Sequence, residues 1–432
     1  MMKLLEMEVI SKEMVKPTSP TPQHLRRHRL SFLDQISPPI FMPMILFYSS
    51  GEVEKKTKDD LSKHLKQSLS QILTQYYMLA GRVSEDNLHV DCNDAGVPFF
   101  ETRANCTLYD LIHDPDPNEF NKLLAYDLAD VKDLGMAVQV NFFSCGGMAV
   151  GVGISHKITD AMGFCHLINN WSVVACGEGK MLPPRFVGAD IFPPLELGSF
   201  LPSVGMLPIE DVVVKRFVFP TDKITQLQDC YTEDTIRPSR IEALSVFIWS
   251  RFMATVEGGG DPNKTYLIIH PVNLRRRGSK TGPQLLDDRC FGNIYRIAMT
   301  EPTKDDDGKY SDVVRKMRKA LKSIDDVYVA KLQEGGDHLD FLQEMMELFL
   351  KGEVIAFSFT SLSKFSLYES DFGFGKPVWF GSSRFDFNNL VSFIDTRMED
   401  GVEAWINMSP KDMAKFEADN QLMSYVSPVS PF

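Results

Sequence analysis

His156-Lys157-Ile158-Thr159-Asp160 is the stretch of this chain whose residue types and spacing best suit acid–base work on a hydroxyl. Histidine titrates near neutrality, so an imidazole can take a proton from an alcohol at physiological pH. A carboxylate four residues later can fix the loop, or can orient the ring by accepting from one of its nitrogens. None of the other histidines has an aspartate at the fourth place after it. Read alone, the segment fits equally well a packed histidine next to a helix-capping aspartate.

A second constellation is Asp371-Phe372-Gly373-Phe374-Gly375-Lys376-Pro377. Two glycines around an aromatic residue demand a tight turn with unusual backbone angles. Its aspartate can accept backbone N–H bonds or pair with an arginine. Arg275, Arg276 and Arg277 in PVNLRRR are the candidate partners, although that run can also be a solvated face or meet a phosphate. A structural role for this turn is favoured over a chemical one.

Other signatures are missing. The chain has no GxSxG, HExxH, GxxxxGK[ST] or GxGxxG. DFGFG shares three letters with the kinase DFG, but no HRD loop precedes it. The 7 cysteines are odd in number and contain no CxxC pair, which argues against a disulfide framework and against structural zinc. No metal is expected.

The elements that must position His156 are readable. Met148 to Ile154 is a Gly-rich apolar run, a buried strand ending at Ser155-His156, and residues 161–175 have helical periodicity. A strand-to-helix loop holds a side chain on rigid supports. Elsewhere the spacing predicts helices over 58–78, 311–324 and 337–350, and a hairpin over 88–102 that breaks at Asp-Ala-Gly. Strands are predicted at 212–219, 265–272, 353–362, 390–396 and 402–408. Ser239 and Glu242 form a capping box for a helix that stops near Gly258, and Ser409-Pro410 starts the last helix. Residues 180–220 are rich in Pro and Gly without periodicity. The division that follows is 1–193, a linker over 194–211, and 212–432. Each half mixes strands and helices, an α/β-type layered domain.

The chain has 432 residues, 44% hydrophobic and 24% charged, with a net charge of -12, so a large core is possible and disorder is excluded. An acidic protein is a poor partner for nucleic acid or anionic membrane, and no apolar run is long enough to span a bilayer. Residues 1–16 lack the unbroken apolar region of a signal peptide, and SPVSPF matches no retention or peroxisomal signal. The cytosol is the expected compartment.

HKITD (156–160) and DFGFG (371–375) resemble the two signatures, HxxxD and DFGWG, of the plant BAHD acyltransferases. LSFLDQ (30–35), YYMLAGRV (76–83), VDCNDAGVPF (90–99), SRIEALSVFIW (239–249), VNLRRR (272–277), CFGN (290–293) and TSL…LYESDFGFGKP (360–377) are similar to family segments in the same order. The resemblance runs along nearly the whole chain and is nearest to a subgroup of alkaloid and terpenoid O-acetyltransferases. It implies a monomer of two similar-sized domains, each a mixed β-sheet with helices, with an active-site channel at their interface. It implies acyl transfer from coenzyme A, most simply acetyl-CoA, to a small hydrophobic hydroxylated acceptor, with no permanently bound cofactor. Among the motif residues, His156 is the general base, Asp160 holds the loop, often through an arginine, and Asp371, with Gly373, Phe374 and Gly375, is architectural and paired with Arg275 or Arg277. Coenzyme A needs anion sites, and the capped helix start at Ser239-Arg240 offers N–H groups, a helix dipole and a cation.

The sequence departs from the family at Ala161 (usually Gly), Leu362 (the Trp of TSW) and Phe374 (the Trp of DFGWG). An indole N–H donates and a phenyl ring does not, which would remove a donor to the tetrahedral oxyanion. Two alternatives stand beside O-acylation, and the three departures motivate the second. One is an amine acceptor; the other is a catalytically weak binding protein on the same fold.

Overall fold

The computed structural model describes residues 5–427 apart from 54–55, 178, 196, 198–210, 234–235, 257–262, 276, 278–285, 303–310, 335–344 and 346. The apolar run before His156 forms strand β8 (Met148–Ser155), buried at every position. It lies between β7 (Met136–Phe142) and the equally buried β3 (Phe41–Tyr48), pairing antiparallel with both. β1 (Met7–Val15) and β6 (Val97–Ala104) extend this sheet on one side. On the other side β3 pairs with β13 (Trp379–Gly381). The order is β1-β6-β7-β8-β3-β13, so a strand from the far half of the chain completes the first sheet. Two helices, α1 (Lys58–Leu73) and α2 (Ala161–Cys176), pack on it. The apolar face read from spacing in α1, Leu61, Leu65, Leu69, Ile72 and Leu73, is buried. The helix ends at 73 and a 3-10 turn follows at Tyr77–Ala80.

The second sheet has the order β11 (Tyr295–Thr300), β10 (Thr265–Asn273), β12 (Val354–Ser361), β14 (Leu390–Asp395), β15 (Gly401–Met408), β9 (Val213–Pro220). β10, β12 and β14 run parallel and the outer pairs antiparallel. Side chains alternate across a strand. The pairings Asn273↔Tyr295, Ile269↔Ser358 and Thr360↔Ser392 therefore put these residues on one face, with Pro271, Ile297, Leu390 and Ile394. That face looks toward the first domain. The opposite face carries Ile268, Phe357 and Val391 into a core shared with α3 (Thr221–Cys230), α4 (Arg240–Thr255), α5 (Ser311–Ser323) and α6 (Pro410–Glu417).

Glu403 of β15 ties the two domains together. Its carboxylate accepts from Arg216 at 2.8 Å, from Trp405 Nε1 at 3.1 Å and from Trp379 Nε1 of β13 at 3.2 Å. The chain thus folds into two mixed sheet-and-helix domains. Residues 212–432 supply the second sheet, and they also lend β13 to the first.

The expected hairpin over 88–102 is not one. β5 (His89–Asp91) pairs with β2 (Arg27–Arg29) and β4 (Arg82–Val83) in a small separate sheet, while β6 joins β1 and β7. Asp94 in the connecting turn explains the split. Its carboxylate accepts Thr21 N and Oγ1 and faces Arg26, so the turn is drawn onto the N-terminal segment. The helix expected over 337–350 and the Gly258 stop lie largely outside the described residues, as does most of 194–211. No helix among the described residues is long and apolar enough to cross a membrane.

Candidate active site

His156 follows β8, and its N–H donates to Ile40 O of the neighbouring segment at 2.9 Å. Four residues on, Asp160 is the N-cap of α2 and accepts Gly163 N at 2.9 Å. The same carboxylate takes a bidentate pair from Arg275, Nη1 at 2.7 Å and Nη2 at 2.9 Å, and accepts Ile294 N at 3.0 Å. Arg275 is fully buried and donates its remaining hydrogens to Cys290 O, Gly292 O and, at 3.4 Å, Asn273 Oδ1. Asp160 therefore clamps segment 290–294 of the second domain to the loop of the first. Of the two roles open to it, it fixes the loop and leaves the ring to another residue.

That residue is Asn293. Its Oδ1 lies 3.0 Å from His156 Nδ1. Its Nδ2 donates to His156 O at 2.7 Å and to Asp34 Oδ1 at 2.9 Å. Both of those partners are pure acceptors, so the amide can sit only one way round. Its oxygen must face the imidazole, and Nδ1 must carry the proton. Nε2 keeps its lone pair, and the backbone carbonyls of His156 and Thr159 lie close enough to the ring to favour its protonated form. Asp34 is fixed in turn by the short helical turn Phe32–Gln35, where it closes a capping box with Ser31 and also accepts Asn293 N at 2.8 Å. Burial raises its pKa above the usual carboxylate value, and these hydrogen bonds pull it back.

Burial lowers the pKa of His156, so the ring is neutral at pH 7. Lys157 points elsewhere. Its Nζ is buried on Gln35 O at 2.7 Å, and burial brings its pKa down to about 8. It is not part of the cavity wall. The ring of Tyr295 lies 5.8 Å from that of His156, and burial pushes its hydroxyl up to about 12.

His156 opens into a cavity of about 260 Å³ between the domains. One wall comes from residues 33–44 with Met162 and Phe164, and the other is the inner face of the second sheet. Leu362, Phe365, Phe385 and Phe387 complete it.

The DFGFG turn lies apart from this cavity. Asp371 Oδ1 accepts Gly373 N at 2.8 Å and Gly375 N at 3.0 Å, and both glycines have positive φ, 86° and 89°. Phe374 packs edge-on against Tyr48, and Phe372 against Trp171. The expected ion pair of Asp371 with Arg275 or Arg277 is absent. Arg275 is taken by Asp160, and Arg277 donates to Leu321 O and Ile324 O. Asp371 does not line the cavity, nor does Phe374, so the aromatic exchange at 374 touches packing. The exchanges at Ala161 and Leu362 are the ones that change the cavity wall.

At the third expected site, Ser239 caps α4 and its N–H donates to Glu242. Arg240 reaches Asp395 at 2.9 Å and Ser363 at 3.2 Å. The helix start and its cation are thus already partnered. They sit beside the loop whose Ser361 and Leu362 line the cavity.

Asn293 and Asp34 carry no signal of their own in the sequence. Both fall in segments quoted for the family resemblance, CFGN and LSFLDQ, and that is the signal that pointed near them. No group of His, Cys, Asp and Glu able to hold a metal occurs among the described residues.

Two mixed sheets with a histidine in the channel between them define a two-domain acyltransferase of the chloramphenicol-acetyltransferase type. The crystal structure of vinorine synthase matches with a TM-score of 0.83 at 32% identity, covering 99% of this chain and 100% of that one. F. sporotrichioides TRI101 complexed with coenzyme A shares the fold at a TM-score of 0.72 and 18% identity, covering 93% and 99%. A family model described as Transferase family matches residues 5–423. Stemmadenine O-acetyltransferase of Catharanthus roseus is 37% identical over 96% of this chain and 97% of its own length. Limonoid 21-O-acetyltransferase of Citrus sinensis is 34% identical over 98% and 99%. The chain belongs to the plant BAHD acyltransferase family. It is an acyltransferase, and acyl-CoA is its co-substrate.

Proposed function

We propose that this enzyme moves an acetyl group from acetyl-CoA to a hydroxyl of an alkaloid-like or terpenoid-like specialised metabolite, with His156 as general base. The observation that carries this reading is the Asn293 amide, which holds the proton on Nδ1 and leaves the Nε2 lone pair free. Nε2 takes the hydroxyl proton as the oxygen attacks the thioester carbonyl. The tetrahedral intermediate collapses with cleavage of the C–S bond, and the imidazolium returns the proton to the departing thiolate. The products are the acetyl ester and free coenzyme A. Leu362 cannot donate a hydrogen bond from its side chain, so the hydroxyl of Thr360 in the same wall is the candidate donor for the oxyanion.

The names of stemmadenine and limonoid O-acetyltransferases support a hydroxyl acceptor and an acetyl donor. For the donor phosphates, Ser239 and Arg240 are the candidate contact, a phosphate taking Arg240 over from Asp395. The cavity draws its walls from both halves of one chain, so a monomer is complete, and a cytosolic monomer is the form we assign. The test is thiol release from acetyl-CoA with a panel of hydroxylated plant metabolites, read together with the mass shift of the acceptor. No release above hydrolysis with any of them overturns the reading. In the same assay Arg240→Glu should raise the acetyl-CoA KM and spare the acceptor KM; equal effects on both remove the phosphate assignment.

A further inference from the structure

The cavity wall is uncharged in a way that selects its occupant. Asp160 and Arg275 reach the wall, but each is locked on the other. Arg296 also borders the cavity, yet strand alternation places its side chain on the outer face of β11, where Nε donates to Tyr328 Oη at 3.4 Å. Among the described residues, no carboxylate is therefore free to meet a cation bound beside His156. A buried ammonium without a counter-charge is strongly disfavoured and sheds its proton instead.

The polar groups that remain are not evenly spread. Tyr295 is hydrogen-bonded to Ser37, and Ser361 Oγ already accepts Ser363 N at 3.2 Å. Ser358 and Ser392 are different. They stand on the neighbouring parallel strands β12 and β14, on the face that lines the cavity. Each is only 8% exposed, and neither side chain has a hydrogen-bond partner among the described residues. Their hydroxyls line the cavity and are free to bond an oxygen or nitrogen of a ligand. The opposite wall is apolar: Ile36, Ile40, Met42, Met44 and Met162.

We infer that the acceptor is an uncharged, largely apolar alcohol with a second oxygen function, and that Ser358 and Ser392 hydrogen-bond that oxygen. One face of such a molecule lies on the methionine-rich wall while its oxygenated edge meets β12 and β14. A basic alkaloid in its protonated form is excluded by the same wall. This inference rests on the hydroxyl-acylation reading and narrows it.

The test is calorimetric binding to the wild-type enzyme without donor, at pH 7. The probes are a limonoid alcohol bearing a ring ketone, and the tertiary amine made from that ketone by reductive amination. The ketone should bind at least ten-fold more tightly than the amine. In turnover assays, Ser358→Ala/Ser392→Ala should raise the KM of the ketone alcohol about ten-fold with the acetyl-CoA KM unchanged. Ser358→Thr, which keeps the hydroxyl, should stay within about two-fold of wild type. Failure of the ketone to bind, equal binding of the amine, or a rise in the acetyl-CoA KM alone each overturns the inference. Tight binding of the ketone with no acetylation leaves this inference standing and removes the catalytic reading instead.

Discussion

Asn293 Oδ1 lies 3.0 Å from His156 Nδ1, and the amide is held in that orientation by Asp34 on one side and the His156 carbonyl on the other. A neutral amide in this position fixes the tautomer and adds no charge to favour the imidazolium strongly. Asn293→Ala should lower kcat by roughly 10- to 100-fold, since ring orientation and tautomer are both released. Because Asn293 acts through His156, the acetyl-CoA KM should hardly move. An unchanged kcat would mean that the ring needs no such support.

The pH profile follows from the direction of the His156 shift. The base works when neutral, and burial disfavours its protonated form, so its pKa lies below 6.5. Activity should therefore be level at neutral pH and fall only as the pH drops below that value. The Asn293 hydrogen bond pushes the pKa upward, so its loss should move the acid limb to still lower pH. The profile of kcat/KM for both proteins checks this. A limb above pH 6.5 in the wild type would contradict it.

The Asp160–Arg275 pair is buried and bidentate. Leaving one member of such a pair alone commonly costs about 3–5 kcal/mol. Arg275→Ala should give insoluble or early-melting protein. Arg275→Lys should rescue little, because an ammonium cannot make two parallel bonds and also reach Cys290 O and Gly292 O. Thermal melting separates these cases; a lysine variant that melts like wild type would show that charge alone suffices.

Asp371 should behave as a turn residue. Its partly exposed carboxylate accepts two N–H groups, so its loss should cost about 2 kcal/mol, less than a buried ion pair. Asp371→Ala should melt earlier and keep its turnover per folded molecule at low temperature. Normal melting with lost turnover would make its role chemical.

The parts of the site legible in the sequence are those built locally. HKITD marks a strand-to-helix loop because the apolar run and the helical spacing abut it, and the Ser239–Glu242 capping box forms as its spacing requires. Residues joined only by the fold were not legible. Asn293 lies 137 positions from His156 and 259 from Asp34, and an uncharged amide carries no signature until those segments meet. The partner of Arg275 is hidden for the same reason. The arginine run is a candidate partner for Asp371, and only the crossing of segment 290–294 onto the first domain gives Arg275 to Asp160. The turn at 93–96 looks like a hairpin because two short strands flank it. Whether they pair is decided by Asp94 reaching Thr21, 73 residues away.

The central claim is that His156 is the base, and turnover of His156→Ala tests it most directly. A positioned general base contributes roughly 10²–10⁴-fold. The variant should lose that much kcat while keeping its melting temperature and its affinity for coenzyme A, and His156→Gln should match it, since an amide takes no proton at neutral pH. A folded His156→Ala enzyme that keeps more than about a tenth of wild-type turnover, a loss below ~1.4 kcal/mol, would contradict the assignment.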